Sequence, residues 1–218
     1  MNDTDPGIRI AVGVSGAGKT IGLRAQVYRA VAGGMPVMGM DRMHEMTEVP
    51  ENIAPLTTLV ATVAEGAQYI AQGARFVIVR PADVISESMA ACAWARDYPG
   101  VAGVAISEAH RVAPNTGSPL PRDLEDVALA WRHHRVALWL DTQRLSLLSR
   151  TLTEQARELR VYAVGGERDL QRLREMGGNG LEDAAKEAAR RLVAGEAGWH
   201  VAVRVTALPP YLLEREAL

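Results

Sequence analysis

Residues Gly13 to Thr20 read GVSGAGKT. The stretch satisfies G-x-x-x-x-G-K-T in full. Before it runs the apolar segment Ile8 to Val12, which suits a buried strand, and after it Thr20 to Val31 reads as a helix. In that setting the glycines let successive backbone N–H groups converge on a phosphate, and the helix start adds the positive end of its dipole. Lys19 is placed to reach the β- and γ-phosphates, and the Thr20 hydroxyl to hold Mg²⁺. The pattern therefore implies ATP and Mg²⁺. Its candidate nucleotide contacts are Gly13, Ser15, Gly16, Ala17, Gly18, Lys19, Thr20 and Ile21.

The flanking sequence limits the class. A chain of 218 residues, 48% apolar, can bury one sizeable core, and residues 1–218 are read as a single domain. Phe76 is the only Phe, so that core rests on Val, Leu, Ile, Ala and Met. A formal net charge of -2 carries no bulk basic footprint. Cys92 stands alone, which excludes an internal disulfide and a cysteine-based zinc site. Neither a signal-peptide pattern nor a run of about 20 apolar residues occurs, so a cytoplasmic chain with no membrane insertion is expected.

Strand and helix signals alternate along the chain. Strands are predicted at 36–40, 76–79, 101–106, 136–140 and 161–164, with a last one through Val201, Val203 and Val205. Helices are predicted at 56–72, weakened by Thr57, Thr58 and Thr62, and at 82–98, 124–135, 152–159 and 181–194. The economical fold is α/β: a mostly parallel central sheet with helices on both faces, as in a P-loop NTPase.

Two strand ends carry further chemistry. Val104 to Glu108 reads VAISE, an apolar strand ending where P-loop enzymes place the metal-side carboxylate and the general base. Glu108 stands in the base position. Ser107 stands where an Asp is usual, and can hydrogen-bond a metal-bound water without supplying charge. Asp41 or Asp141 remains open as a substitute. Trp139 to Arg144 reads WLDTQR. In a parallel sheet that strand end faces the ligand crevice, where Gln143 can orient a water or sense the γ-phosphate.

GVSGAGKT, VAISEAH and WRHHRVALWLDTQR together resemble the HerA/FtsK group of P-loop ATPases over roughly residues 8 to 165. The resemblance is strongest to the packaging ATPases of internal-membrane double-stranded DNA viruses, and it extends to Zot-like phage assembly proteins. The matching features are an apolar strand ending before Glu108-Ala109-His110, and Arg132 in a helix before a strand ending in Thr142-Gln143. Ser107 departs from the group's usual Asp.

The resemblance implies a RecA/FtsK-like core working as a ring, a hexamer, on double-stranded DNA. It also implies virion association at a packaging vertex, with a capsid vertex protein as a further partner. Lys19, Glu108 and Gln143 would serve catalysis in one subunit, and Arg132 would complete the site of the next. Arg122, Arg135, Arg144 and Arg150 remain open for that last role. Arg111 and the loop from Pro114 to Pro121 would face the pore and touch DNA backbone.

Two other functions fit a phosphate loop. A small-molecule or nucleotide kinase fits the size, but an Arg-rich lid is missing, and Glu108 followed by Gln143 suits hydrolysis better. A non-catalytic ATP-bound switch would tolerate Ser107. A guanine-reading N/T-K-x-D sequence does not occur, which argues against a GTPase.

Overall fold

The computed structural model describes residues 3–42, 46, 49–204 and 213–215. Its elements run β1 (Gly7–Val12), α1 (Lys19–Ala32), β2 (Val37–Met40), β3 (Thr57–Val60), α2 (Val63–Ala71), β4 (Phe76–Val79), α3 (Val84–Asp97), β5 (Ala102–Ile106), α4 (Arg122–His134), β6 (Val136–Thr142), α5 (Arg150–Glu154), β7 (Ala156–Val161), α6 (Glu167–Val193), β8 (Trp199–Arg204) and β9 (Leu213–Arg215). The fold is α/β, a mixed, mostly parallel sheet flanked by helices, with the architecture of a P-loop/RecA-like core.

The chain divides into two compact units interleaved in sequence. One holds Met1–Ile8, Arg24–Ser107 and Ser118–Leu140; the other holds Arg9–Leu23, Glu108–Gly117 and Asp141–Leu218.

In the first unit β3, β4, β2, β5 and β6 lie in that order. The pairings β3–β4, β4–β2, β2–β5 and β5–β6 are all parallel. Strands β2, β4 and β5 are buried throughout, as FVIV and AGVAI require, because helices cover both faces of a parallel sheet. β5 pairs with β6 from Ala102↔Val136 to Ile106↔Leu140, which fixes how far each strand runs toward its C-terminal end.

The second unit adds an antiparallel part: β7 pairs with β8 and β8 with β9. α6 is two helical stretches joined at Gly178, whose φ of 71° interrupts the helix. Arg174 and Lys186 on either side both reach Glu182, the latter at 2.7 Å.

Four predicted elements are corrected. The helix expected over 56–72 is β3 followed by α2, which starts at a capping box in which Thr62 accepts from Glu65 N–H. β-branched Thr57 and Thr58 belong to the strand. The helix expected over 152–159 is the short α5 followed by β7, and the strand expected at 161–164 is instead β7 at Ala156–Val161, which shares only Val161 with it. The helix expected at 181–194 is the second half of α6. Val205, expected in the last strand, lies outside the described residues.

Candidate functional site

The second unit gathers the phosphate-loop sequence, Glu108, Asp141 and Gln143. The end of β1 is clamped on both sides. Gly13 N–H donates to Thr142 O at 3.1 Å, Val14 N–H to Ala163 O at 2.8 Å, and Tyr162 N–H to Val12 O at 2.8 Å. Gly13 itself is a packing glycine, because a Cβ there would lie 2.7 Å from Tyr162 Cβ. Its N–H already has a partner, so it stands apart from the loop proper.

Beyond that clamp the loop opens. Gly16 and Gly18 adopt φ of 78° and 93°, conformations that favour glycine. Among the described residues, the N–H groups of Ser15, Gly16 and Gly18 have no backbone partner. α1 begins at Lys19, so its first N–H groups also lack intrahelical acceptors. Gly16, Gly18, Lys19, Thr20 and Ile21 line a cavity of about 200 Å³. A helix start with free N–H groups, two positive-φ glycines and a lysine is a receptor for an anion of phosphate size.

Ala197 completes that lining, and Gly198 N–H donates to Ala17 O at 3.2 Å. The turn between α6 and β8 thus closes one side of the cavity. Sequence reasoning missed it; the positive-φ Gly195 and Gly198 mark a turn but say nothing of where it lands.

A connected set of polar groups leads away from Lys19. Its Nζ lies 3.4 Å from Thr20 Oγ1, which lies 3.4 Å from Asp141 Oδ2. Asp141 Oδ1 accepts Glu108 N–H at 2.8 Å, and Glu108 Oε1 accepts Gln143 Nε2–H at 3.2 Å. Glu108 has φ 51° and ψ 45°. A non-glycine residue in that left-handed region is strained by roughly 1–3 kcal/mol, and such strain clusters at functional positions. Arg111 Nε approaches Glu108 Oε2 at 2.6 Å, a charge contact rather than an aligned hydrogen bond.

His110 packs behind this set, its Nδ1 3.1 Å from Thr142 Oγ1. Burial lowers its pKa from the ordinary histidine value; Glu108 opposes this, and Arg111 and Lys19 add to it. The imidazole is therefore neutral at pH 7 and serves as a hydrogen-bonding strut.

The structure does not gather the remaining predicted residues in the same way. Ser107 directly precedes Glu108 but closes the first unit; it is buried, and its Oγ has no hydrogen-bond partner. Arg132 also belongs to the first unit, exposed on α4 with its guanidinium 4.7 Å from the Trp131 ring centroid. Of the arginines left open, Arg144 is tied to buried Asp169 at 2.7 Å and Arg150 lies 3.8 Å from Glu175. Arg122 and Arg135 bound α4 and are exposed.

These side chains fit a magnesium ion. Thr20 Oγ1 and the Asp141 carboxylate, both in the second unit and 3.4 Å apart, are hard oxygen donors. Mg²⁺ beside a nucleotide needs only one or two protein groups, since water and phosphate oxygens supply the rest.

No protein-family model matches the chain. No curated protein matches it in sequence. Solved structures do match in fold. One is the genome packaging NTPase B204 from Sulfolobus turreted icosahedral virus 2 in complex with ATP-gammaS, at 16% identity and TM-score 0.71 over 100% of both chains. VirB4 of Thermoanaerobacter pseudethanolicus matches at 13% identity and TM-score 0.63, over 96% of this chain and 89% of that one. The N-terminal domain of zonular occludens toxin from Neisseria meningitidis matches at 15% identity and TM-score 0.51, over 98% and 95%. At these identities the likeness is one of fold. Among the described residues no helix is long and apolar enough to cross a membrane.

Proposed function

We propose that this chain is a single-domain, Mg²⁺-dependent ATPase that works as a ring, a hexamer, and drives double-stranded DNA, in the manner of viral genome packaging. The observation that carries the reading is the unbroken polar connection from Lys19 through Thr20, Asp141 and Glu108 to Gln143. It links an anion-receiving loop to a carboxylate that can act as the base for a water attacking the bound phosphoanhydride. The full-length fold likeness to a packaging NTPase complexed with ATP-gammaS supports the same reading. A capsid vertex protein is the further partner, and a cytoplasmic or virion-associated location follows.

In this mechanism Ser15, Gly16, Gly18 and Thr20 present backbone N–H groups to the phosphates, and Lys19 neutralises their charge. Ala17 and Ile21 shape the loop around them. Thr20 and Ser107 are the groups on the metal side, where the bound ion would screen the β- and γ-phosphate oxygens. Glu108 accepts the proton of the attacking water, and Gln143 orients that water. Arg132, exposed on α4, reaches the neighbouring subunit's nucleotide and stabilises charge on the transferred phosphoryl group.

Phosphate release measured with and without duplex DNA tests the reading. Turnover that needs Lys19 and rises with duplex DNA is expected. A permanent monomer that instead phosphorylates a nucleoside, with no phosphate release, overturns it in favour of a kinase.

A further inference from the structure

We infer that Asp141 supplies the metal-side carboxylate that position 107 lacks, so that the cation accompanying the nucleotide is held from the end of β6 instead of the end of β5. The inference rests on the nucleotide reading above and adds a residue to it.

The register makes the exchange possible. β5 and β6 are parallel neighbours matched as far as Ile106↔Leu140, and Ser107 and Asp141 are the next residues of the two chains. Asp141 continues β6 one residue beyond that matched pair, while β5 ends at Ile106. The side-chain geometry agrees. Asp141 is fully buried, and its Oδ2 lies 3.4 Å from Thr20 Oγ1, the hydroxyl that the loop pattern assigns to the cation. That separation is at the long end of hydrogen bonding, and it brings the two oxygens face to face. The other oxygen, Oδ1, is fixed by Glu108 N–H at 2.8 Å, which aims the carboxylate and couples it to the residue proposed as base.

Charge completes the argument. Ser107 is neutral and supplies no charge to a cation, whereas Asp141, Thr20 and Glu108 all lie in the second unit, with the carboxylate beside the loop hydroxyl. Asp41, the other carboxylate left open by the sequence, accepts Met46 N–H at 3.1 Å in the first unit and belongs to the segment after β2.

Mn²⁺ binding to the ATP-bound protein, followed by electron paramagnetic resonance, tests this without relying on turnover. Asp141→Asn should weaken Mn²⁺ by about 10- to 100-fold, the usual cost of removing a group that supports a metal site. The amide oxygen of that variant can still accept Glu108 N–H, so ATP affinity in EDTA and thermal unfolding should stay near the parent. Adding Ser107→Asp to Asp141→Asn should restore most of the lost affinity, which a structural role for Asp141 would not predict.

Unchanged Mn²⁺ affinity in a folded Asp141→Asn protein overturns the inference while leaving the nucleotide reading intact. If Asp141→Asn does not fold, Ser107→Asp alone decides. A second carboxylate, at position 107, should alter Mn²⁺ affinity at least about threefold, and no change overturns the proposal. Unchanged ATP affinity in Lys19→Ala is a different failure, since it removes the nucleotide reading and this inference together.

Discussion

Arg111 Nε lies 2.6 Å from Glu108 Oε2, while the other carboxylate oxygen accepts from Gln143. Oε2 is therefore held by charge and Oε1 by one hydrogen bond, and the Arg111 cation offsets the negative charge of the proposed base. Arg111 is the half-exposed member of its pair. Arg111→Ala is expected to raise ATP turnover without DNA several-fold and to reduce the additional stimulation by duplex. Steady-state phosphate release at several salt concentrations measures both. Lower basal turnover in the variant would show that Arg111 assists the chemistry instead of restraining it.

Glu108→Gln keeps the side chain's shape and removes the base. ATP binding is expected within about threefold of the parent, and hydrolysis should fall by about a hundred- to ten-thousandfold. Gln143→Ala should cost less, because it removes a positioning contact at 3.2 Å and leaves the carboxylate in place. Single-turnover kinetics with radiolabelled ATP separate the two. A Glu108→Gln protein as fast as the parent would remove that residue from the mechanism.

Arg132 tests whether sites are shared between subunits. Arg132→Ala alone and Lys19→Ala alone should both be inactive. Mixed rings should regain part of the activity, since some interfaces then pair an intact loop with an intact arginine. No recovery in rings shown by native mass spectrometry to be mixed would confine Arg132 to its own subunit.

Gly13→Ala should act on stability more than on phosphate affinity. The added Cβ meets Tyr162 Cβ at 2.7 Å, between two strand ends that are hydrogen-bonded in place. Overpacking of this kind costs about 1–3 kcal/mol. Urea unfolding should report that loss, with ATP affinity per folded molecule close to the parent.

Acid should expose the brace across the α6 kink. Arg174 and then Lys186 hold the Glu182 carboxyl down at about 2, against an ordinary 4.5. The unfolded chain takes up the proton first, so the stabilisation is complete above about pH 4.5 and is lost as pH falls toward 2. Glu182→Gln should be less stable than the parent at pH 7, and the difference should close across that window. Melting temperatures over pH 2–7 that stay a constant distance apart would rule the carboxylate out as the cause.

What could be read from sequence was local. GVSGAGKT, and the strand-end positions of Glu108 and Gln143, need only a short apolar run and its last polar residue. β7 carries no clear strand signal, because Glu158 and Arg160, which pair with each other inside it, break the apolar alternation that marks a strand. The helix expected at 181–194 begins only after Gly177-Gly178, whereas α6 starts at Glu167 and continues through a kink at Gly178. Asp141 could be named from sequence, but its distances to Thr20 and Glu108 depend on residues more than thirty positions away, and no local pattern encodes them.

The interleaving of the two units also sets an order of events during synthesis. The stretch Arg9–Leu23 leaves the ribosome early, yet the rest of its unit is Glu108–Gly117 and Asp141–Leu218. At bacterial-to-eukaryotic elongation rates the nascent phosphate loop waits on the order of ten seconds for the strand ends that clamp it. Meanwhile the intervening stretch already carries most of the other unit's parallel strands. Under the proposed function, nucleotide affinity would be acquired only after Asp141 and the segments beyond it have been made.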